Sequence, residues 1–208
     1  MKHLGAILIG FIFSFSNNAF ALPCSSSGMD VSKANDGSGF IFYIYREKSD
    51  IAALIPGKDI SFPGGFSGPK QFVIDGIHYE IANVKLSDFT DKPGESDLQV
   101  LKKHTAYEQK YIVDSKVSPL TKMVNHGERT KDKSHGQPEF TFYLWQAIDP
   151  EDESGPSQFY LSTVTDKEVV LLSAIVKDKD SANRFMKISS AYASTFQHIL
   201  SKDKCLKK

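Results

Sequence analysis

Little in this sequence is in surplus, and each shortage excludes something. Positive and negative residues cancel at 25 each, which removes the bulk attraction that draws a protein to nucleic acid or to an acidic membrane. There are only two cysteines and no Cys-x-x-Cys pair, so a dithiol redox centre is not encoded. Glycine (14) and proline (9) are too sparse for a fibrous chain. A hydrophobic share of 40% with 12% aromatics is too rich for a disordered one. No internal repeat of roughly 20–50 residues is present. Beyond the first 21 residues no apolar run approaches the ~20 residues of a membrane-spanning helix.

What is present begins with an address. Met1-Lys2-His3 is a short positive start, Leu4 to Phe15 is apolar, and Ala19-Phe20-Ala21 is the small-x-small pattern read by signal peptidase. Residues 1–21 are therefore expected to be a cleaved signal peptide. Residues 22–208 then form a single exported domain, periplasmic or secreted, without a transmembrane anchor. In an oxidising compartment Cys24 and Cys205 form one disulfide joining the two ends of the mature chain. Lipid attachment at Cys24 is disfavoured by Pro23, because a lipoprotein signal needs a small residue just before the cysteine.

Along the mature chain the hydrophobic period alternates between 2 and 3.6. Phe40 to Tyr45 reads as a strand buried on both faces. Ile60 to Gly68 reads as a turn or loop, with Pro63, Gly64, Gly65 and Gly68. Gln71–Ile74 and Ile77–Ile81 flank Asp75-Gly76, a two-residue hairpin turn. Ser96 and Gln99 have capping-box spacing and open a helix over about 96–113. Leu98, Leu101, Thr105 and Ile112 form its stripe, widened by Val100, Tyr107 and Tyr111. Segment 114–138 is polar and reads as a loop or an irregular edge hairpin. Glu139–Trp145, Gln158–Val164 and Glu168–Val176 are strands joined by short connections, which demands antiparallel pairing. Asp180 or Ser181 caps a helix over 181–200, with Phe185, Ile188, Tyr192, Phe196 and Ile199 on one face. The predicted fold is α+β, a largely antiparallel sheet of five to seven strands covered by two main helices.

Three aromatic strands closed by one long helix, Phe140–Trp145, Phe159–Val164 and Val169–Val176 followed by 181–200 with Ser194-Thr195-Phe196, resemble the Mog1/PsbP-like superfamily. The resemblance covers residues 139–200 and rests on element order. Lipid-transfer folds related to the steroidogenic acute regulatory protein share the long helix packed on a sheet. The Mog1/PsbP-like resemblance implies an accessory or binding module and not an enzyme.

The chemistry-bearing residues are few. His78 and Glu80 share a face of a strand, and His104 and Glu108 share a face of a helix. Imidazole and carboxylate are suitable metal ligands, so these four are the candidates for a metal site. Neither pair has the His-Glu-x-x-His spacing, and a His beside a Glu on an amphipathic element is ordinarily solvated or mutually bonded. His126 and His135 lie in the polar segment. Gly65-Phe66-Ser67-Gly68 lacks the glycine two positions after serine that a nucleophile elbow requires. Gly64 to Lys70 lacks the Lys-Ser/Thr pair of a phosphate loop. Asp149, Glu151, Asp152 and Glu153 depart from calcium-loop spacing. The basic residues of 116–133 offer a solvent-facing charged run or a docking surface for an anionic partner.

The sequence thus reads as an exported, non-enzymatic accessory or binding protein of the bacterial cell envelope or secreted fraction. No cofactor and no nucleic acid are expected. The partner is a protein, an envelope component or a small apolar ligand. The alternative is an exported metal-dependent or hydrolytic enzyme using His78, Glu80, His104 and Glu108.

Overall fold

The computed structural model describes residues 28–45, 50–63, 71–90, 92, 94–115, 119–130, 140–165 and 168–199. The expected signal peptide, Cys24, Cys205, the glycines of 64–68 and His135 lie outside the described residues.

Three strands come first, β1 (Gly28–Lys33), β2 (Gly39–Tyr45) and β3 (Asp50–Pro56). Then follow β4 (Ile60–Ser61), β5 (Gln71–Ile74), β6 (Ile77–Lys85), a 3-10 turn at Leu86–Asp88, and α1 (Asp97–Ser115). The second half carries β7 (Lys122–Thr130), β8 (Thr141–Ile148), β9 (Ser157–Val164), β10 (Glu168–Val176), α2 (Lys179–Thr195) and β11 (Gln197–Ile199). Two antiparallel sheets result, a large one ordered β4-β5-β6-β10-β9-β8-β7 and a small one ordered β1-β2-β3-β11. The α+β class and the two helices match the sequence expectation. The second sheet does not appear in it.

Alternation along the strands decides the layering. On the large sheet Phe72, Tyr79, Phe142, Leu144, Phe159, Leu161, Val170 and Leu172 point to one side, where they meet α2 and the small sheet in the main core. Phe42 of β2 reaches Phe72 of β5 with ring centroids 4.4 Å apart. Phe185 of α2 lies 5.0 Å from Phe159. Trp145, Ala147 and Tyr160 point to the opposite side, beneath α1, together with Val164 and Val169. The small sheet and α2 therefore cover one face of the large sheet; among the described residues α1, joined by Leu86 and Phe89, covers the other.

The Asp75-Gly76 hairpin forms as expected, with φ of 49° and 80° at the two turn residues. Asp75 also accepts from the backbone N–H groups of Lys58 (3.1 Å) and Asp59 (3.0 Å). Arg184 of α2 donates to its carbonyl at 3.0 Å, which fixes the helix entry over the hairpin. Ser96 and Gln99 satisfy each other at the start of α1: the Ser96 N–H donates to Oε1 of Gln99 at 2.9 Å.

Three expectations are corrected. The run 40–45 is not buried on both faces: Phe40, Phe42 and Ile44 are buried while Ile41 and Tyr43 are half-buried, because among the described residues no element covers the outer face of the small sheet. Part of 60–68 is a strand, since β4 adds two residues to the edge of β5. Of the two readings of 114–138, the edge one holds for the described part: β7 pairs with the edge of β8, with a register shift between Asn125 and Gly127. The last helix stops at Thr195 and does not run to 200. The Thr195 hydroxyl accepts from the Leu54 N–H at 2.9 Å, and the chain then pairs with the edge of β3. The apolar spacing of Phe196 and Ile199 continues a helical stripe, but an open strand edge supplies stronger backbone partners.

Candidate functional site

The ionisable groups most displaced from their ordinary behaviour gather beneath α1. His104 follows Val100 and Leu101 by one helical turn, and the apolar stripe of α1 carries it inward until it is 0% exposed. Glu108, four residues later on the same face, brings a carboxylate oxygen to 3.7 Å from His104 Nε2, with its side chain 12% exposed. Phe89, just after the 3-10 turn, stands edge-on to the imidazole with centroids 5.0 Å apart. Burial lowers the His104 pKa to about 4 and raises that of Glu108 to about 7, since each charged form loses water without gaining a counter-charge. At 3.7 Å the two do not make a hydrogen bond, and neither ring nitrogen of His104 has another partner.

The large sheet supplies the floor. Glu80, Ser173, Tyr160 and Trp145 stand directly opposite one another across β6, β10, β9 and β8, so they share the α1 face. The Trp145 and Tyr160 rings stack with centroids 3.9 Å apart. Burial raises the Tyr160 phenol above its usual range, and the charges of Glu108 and Glu80 raise it further. The indole N–H of Trp145 and the hydroxyl of Thr105 are buried without a hydrogen-bond partner. Gln109, on the flank of α1 beside β7, donates to Asn125 at 3.0 Å.

Of the four residues singled out by spacing, the structure brings His104 and Glu108 together. Glu80 lies on the same side of the sheet with Tyr160 between. His78 also shares that face but lies one pair further along β6, opposite Ile175, and is exposed. Among the described residues no three His, Cys, Asp or Glu side chains come close enough to hold a metal ion. The solvated reading of His104 and Glu108 is overturned, because the stripe of α1 is wide enough to bury the imidazole. His126 faces the other way, stacked on Phe159 and bonded through Nε2 to Gln146 at 3.0 Å. In the acidic loop the Asp149 carboxylate accepts from the Glu151 N–H and Asp152 from the Ser154 hydroxyl, at 2.8 and 3.0 Å, which are turn-forming bonds. Sequence reasoning missed Tyr160, Trp145 and Thr105. On strands and stripes of this composition they read simply as core, and nothing in spacing marks a buried polar atom lacking a partner.

The arrangement places a carboxyl and an imidazole side by side under α1 without a hydrogen bond between them. His104 is sealed by α1, Phe89 and the sheet, while the Glu108 side chain keeps 12% exposure.

No protein-family model matches the chain, and no curated protein sequence matches it. Among solved structures the chain is similar to PsbP (CyanoP) of the cyanobacterium Synechocystis sp. PCC 6803. The identity is 10% and the TM-score 0.46, over 89% of this chain and 98% of that one. It is also similar to a mutant of the protein Mog1, at 11% identity and a TM-score of 0.36, over 81% of this chain and 89% of that one. These two likenesses carry the names of the superfamily that residues 139–200 resemble. They concern the fold alone.

Proposed function

We propose that this chain is an exported, non-enzymatic accessory or binding protein whose partner seats on α1. One observation carries the reading: the large apolar side chains left exposed among the described residues are Tyr107 (59%), Tyr111 (50%) and Val113 (43%), all on α1. Tyr107 and Tyr111 are one turn apart and so stand side by side, and aromatic anchors of this kind dominate protein contacts. The sealed position of His104 argues in the same direction, because a catalytic pair needs a path to its substrate. Export rests on residues 1–21.

A photo-crosslinking residue at position 107 or 111, in the cell that makes the protein, is expected to capture an envelope component. The same probe at the exposed Lys187 of α2 is expected to stay unlinked. Crosslinks at 187 equal to those at 107 and 111, or none on α1, would overturn the reading. Turnover of an ester, peptide or glycoside by purified protein, lost in Glu108→Gln, would establish the enzymatic alternative instead.

A further inference from the structure

The two helices are held by different means. α2 presses Phe185, Ile188, Tyr192 and Ala193 into the main core. The buried apolar side chains of α1 are Val100, Leu101 and Ile112, and the rest of its buried stripe is His104 and Thr105. Beneath it, both ring nitrogens of His104, the Thr105 hydroxyl and the Trp145 indole N–H lack hydrogen-bond partners. The Tyr79 hydroxyl beside α2 is also buried without a hydrogen-bond partner, but more such atoms lie under α1; polar groups buried in this way weaken an interface, so the seat of α1 is the softer of the two.

We infer that His104 and Glu108 form a proton-compensating seat, which in mildly acidic solution carries one proton whether α1 is down or lifted and so makes the seating of this helix independent of pH over that range. The closed count follows from geometry. The pair lies 3.7 Å apart in a pocket walled by Phe89, the Trp145–Tyr160 stack and the apolar residues of the helix. Among the described residues, the titratable groups that approach it from the sheet are Tyr160 of β9, Glu80 of β6 and Tyr143 of β8, none of them cationic, and burial alone accounts for the displaced behaviour of the pair. On α1 itself Asp97 stands two turns earlier on the same stripe, and Lys103 is bonded to Glu95 at 2.6 Å. Without a counter-ion, the buried pair must be neutral in sum. A neutral imidazole beside a carboxylic acid meets that condition with one proton.

The lifted count follows from ordinary solution chemistry. With α1 exposed, Glu108 loses its proton near 4.5 and His104 near 6.5. Between those values the lifted pair is a carboxylate and an imidazolium, again with one proton. Equal proton numbers in two states mean no pH dependence of the equilibrium between them. Either group alone would break the balance. An isolated buried imidazole must release a proton when the helix closes, and an isolated buried carboxyl must take one up. This regulation rests on the reading of α1 as the partner-binding helix for its purpose, though not for its physics.

Hydrogen exchange of the full mature chain without any partner tests it. After correction for intrinsic rates, amides of α1 are expected to be at least about tenfold less protected than those of α2. Their protection should change by less than about threefold from pH 5 to 6.5. In Glu108→Gln the lone His104 has a depressed closed-state pKa, so protection of α1 should fall by up to about tenfold per unit as pH drops from 6.5. In His104→Phe the lone Glu108 has a raised one, so protection should fall as pH rises from 4.5. Equal protection of the two helices in the parent protein, or pH-independent protection of α1 in both variants, would overturn the inference. Should these slopes appear while crosslinks map away from 107 and 111, the seat stands and the partner surface fails.

Discussion

Replacing Phe42 with alanine should lower the stability of the protein by about 3–5 kcal/mol, the loss expected for an aromatic side chain in a core that cannot collapse around the cavity. Phe42 is fully buried. It belongs to the small sheet yet packs with a tilted ring against Phe72 of the large one at 4.4 Å, and Phe72 in turn stacks on Tyr79 at 5.4 Å. The side chain therefore joins two layers that share no strand pairing, and removing it weakens the join as well as the core. Denaturant unfolding followed by far-ultraviolet circular dichroism measures the shift. The single tryptophan lies on the far side of the large sheet, under α1, so its fluorescence asks whether the loss is felt across the whole domain. Coincident transitions at a lower midpoint are expected. A change below about 1 kcal/mol would mean that the two sheets are not mutually dependent.

Mutating both Cys24 and Cys205 to serine should cost about 2–4 kcal/mol, because a bridge between them closes a loop of roughly 180 residues in the unfolded chain. The bridge is proposed, and the strand register supports it. Gly28 pairs with Tyr45, Ile44 with Ile51, and Ile199 with Asp50. β1 therefore enters and β11 leaves at the same end of the small sheet, three strand spacings apart, or about 14 Å. Cys24 precedes Gly28 by four residues and Cys205 follows Ile199 by six. At about 3.3 Å per residue these arms together can span about 33 Å, more than the separation needs. Alkylation and mass measurement of the native protein should find no free thiol. Two alkylated cysteines would remove the bridge and its stabilisation together.

The elements legible in the sequence were those whose pattern and partners are local. The Asp75-Gly76 hairpin, the Ser96–Gln99 cap and the strands read at 139–145, 158–164 and 168–176 each declare themselves within a dozen residues, the first of them running on to Ile148 in the structure. The small sheet could not be read in this way. Its fourth strand, Gln197–Ile199, lies about 145 residues beyond its partner β3, and it carries the amphipathic spacing of the helix before it. The burial of His104 was hidden for a related reason. Helical period places it on the inner stripe, but only the position of Phe89 and the Trp145–Tyr160 stack determines whether that part of the stripe is sealed. Tyr107 and Tyr111 show the converse. Aromatic character placed them with the core, whereas α1 is too narrow a contact to cover its own flank.

The outermost strands of the large sheet have a further consequence. At one margin β4 is two residues long, and at the other β7 is broken by the irregularity at Gly127, which has a φ of 83°. β7 also carries Lys122, Glu128 and Arg129. Neither margin offers a straight, uncharged template to a second chain, so growth by strand addition is blocked at both ends. The large sheet, rich in aromatic strands, is thereby kept from pairing edge to edge with a second copy.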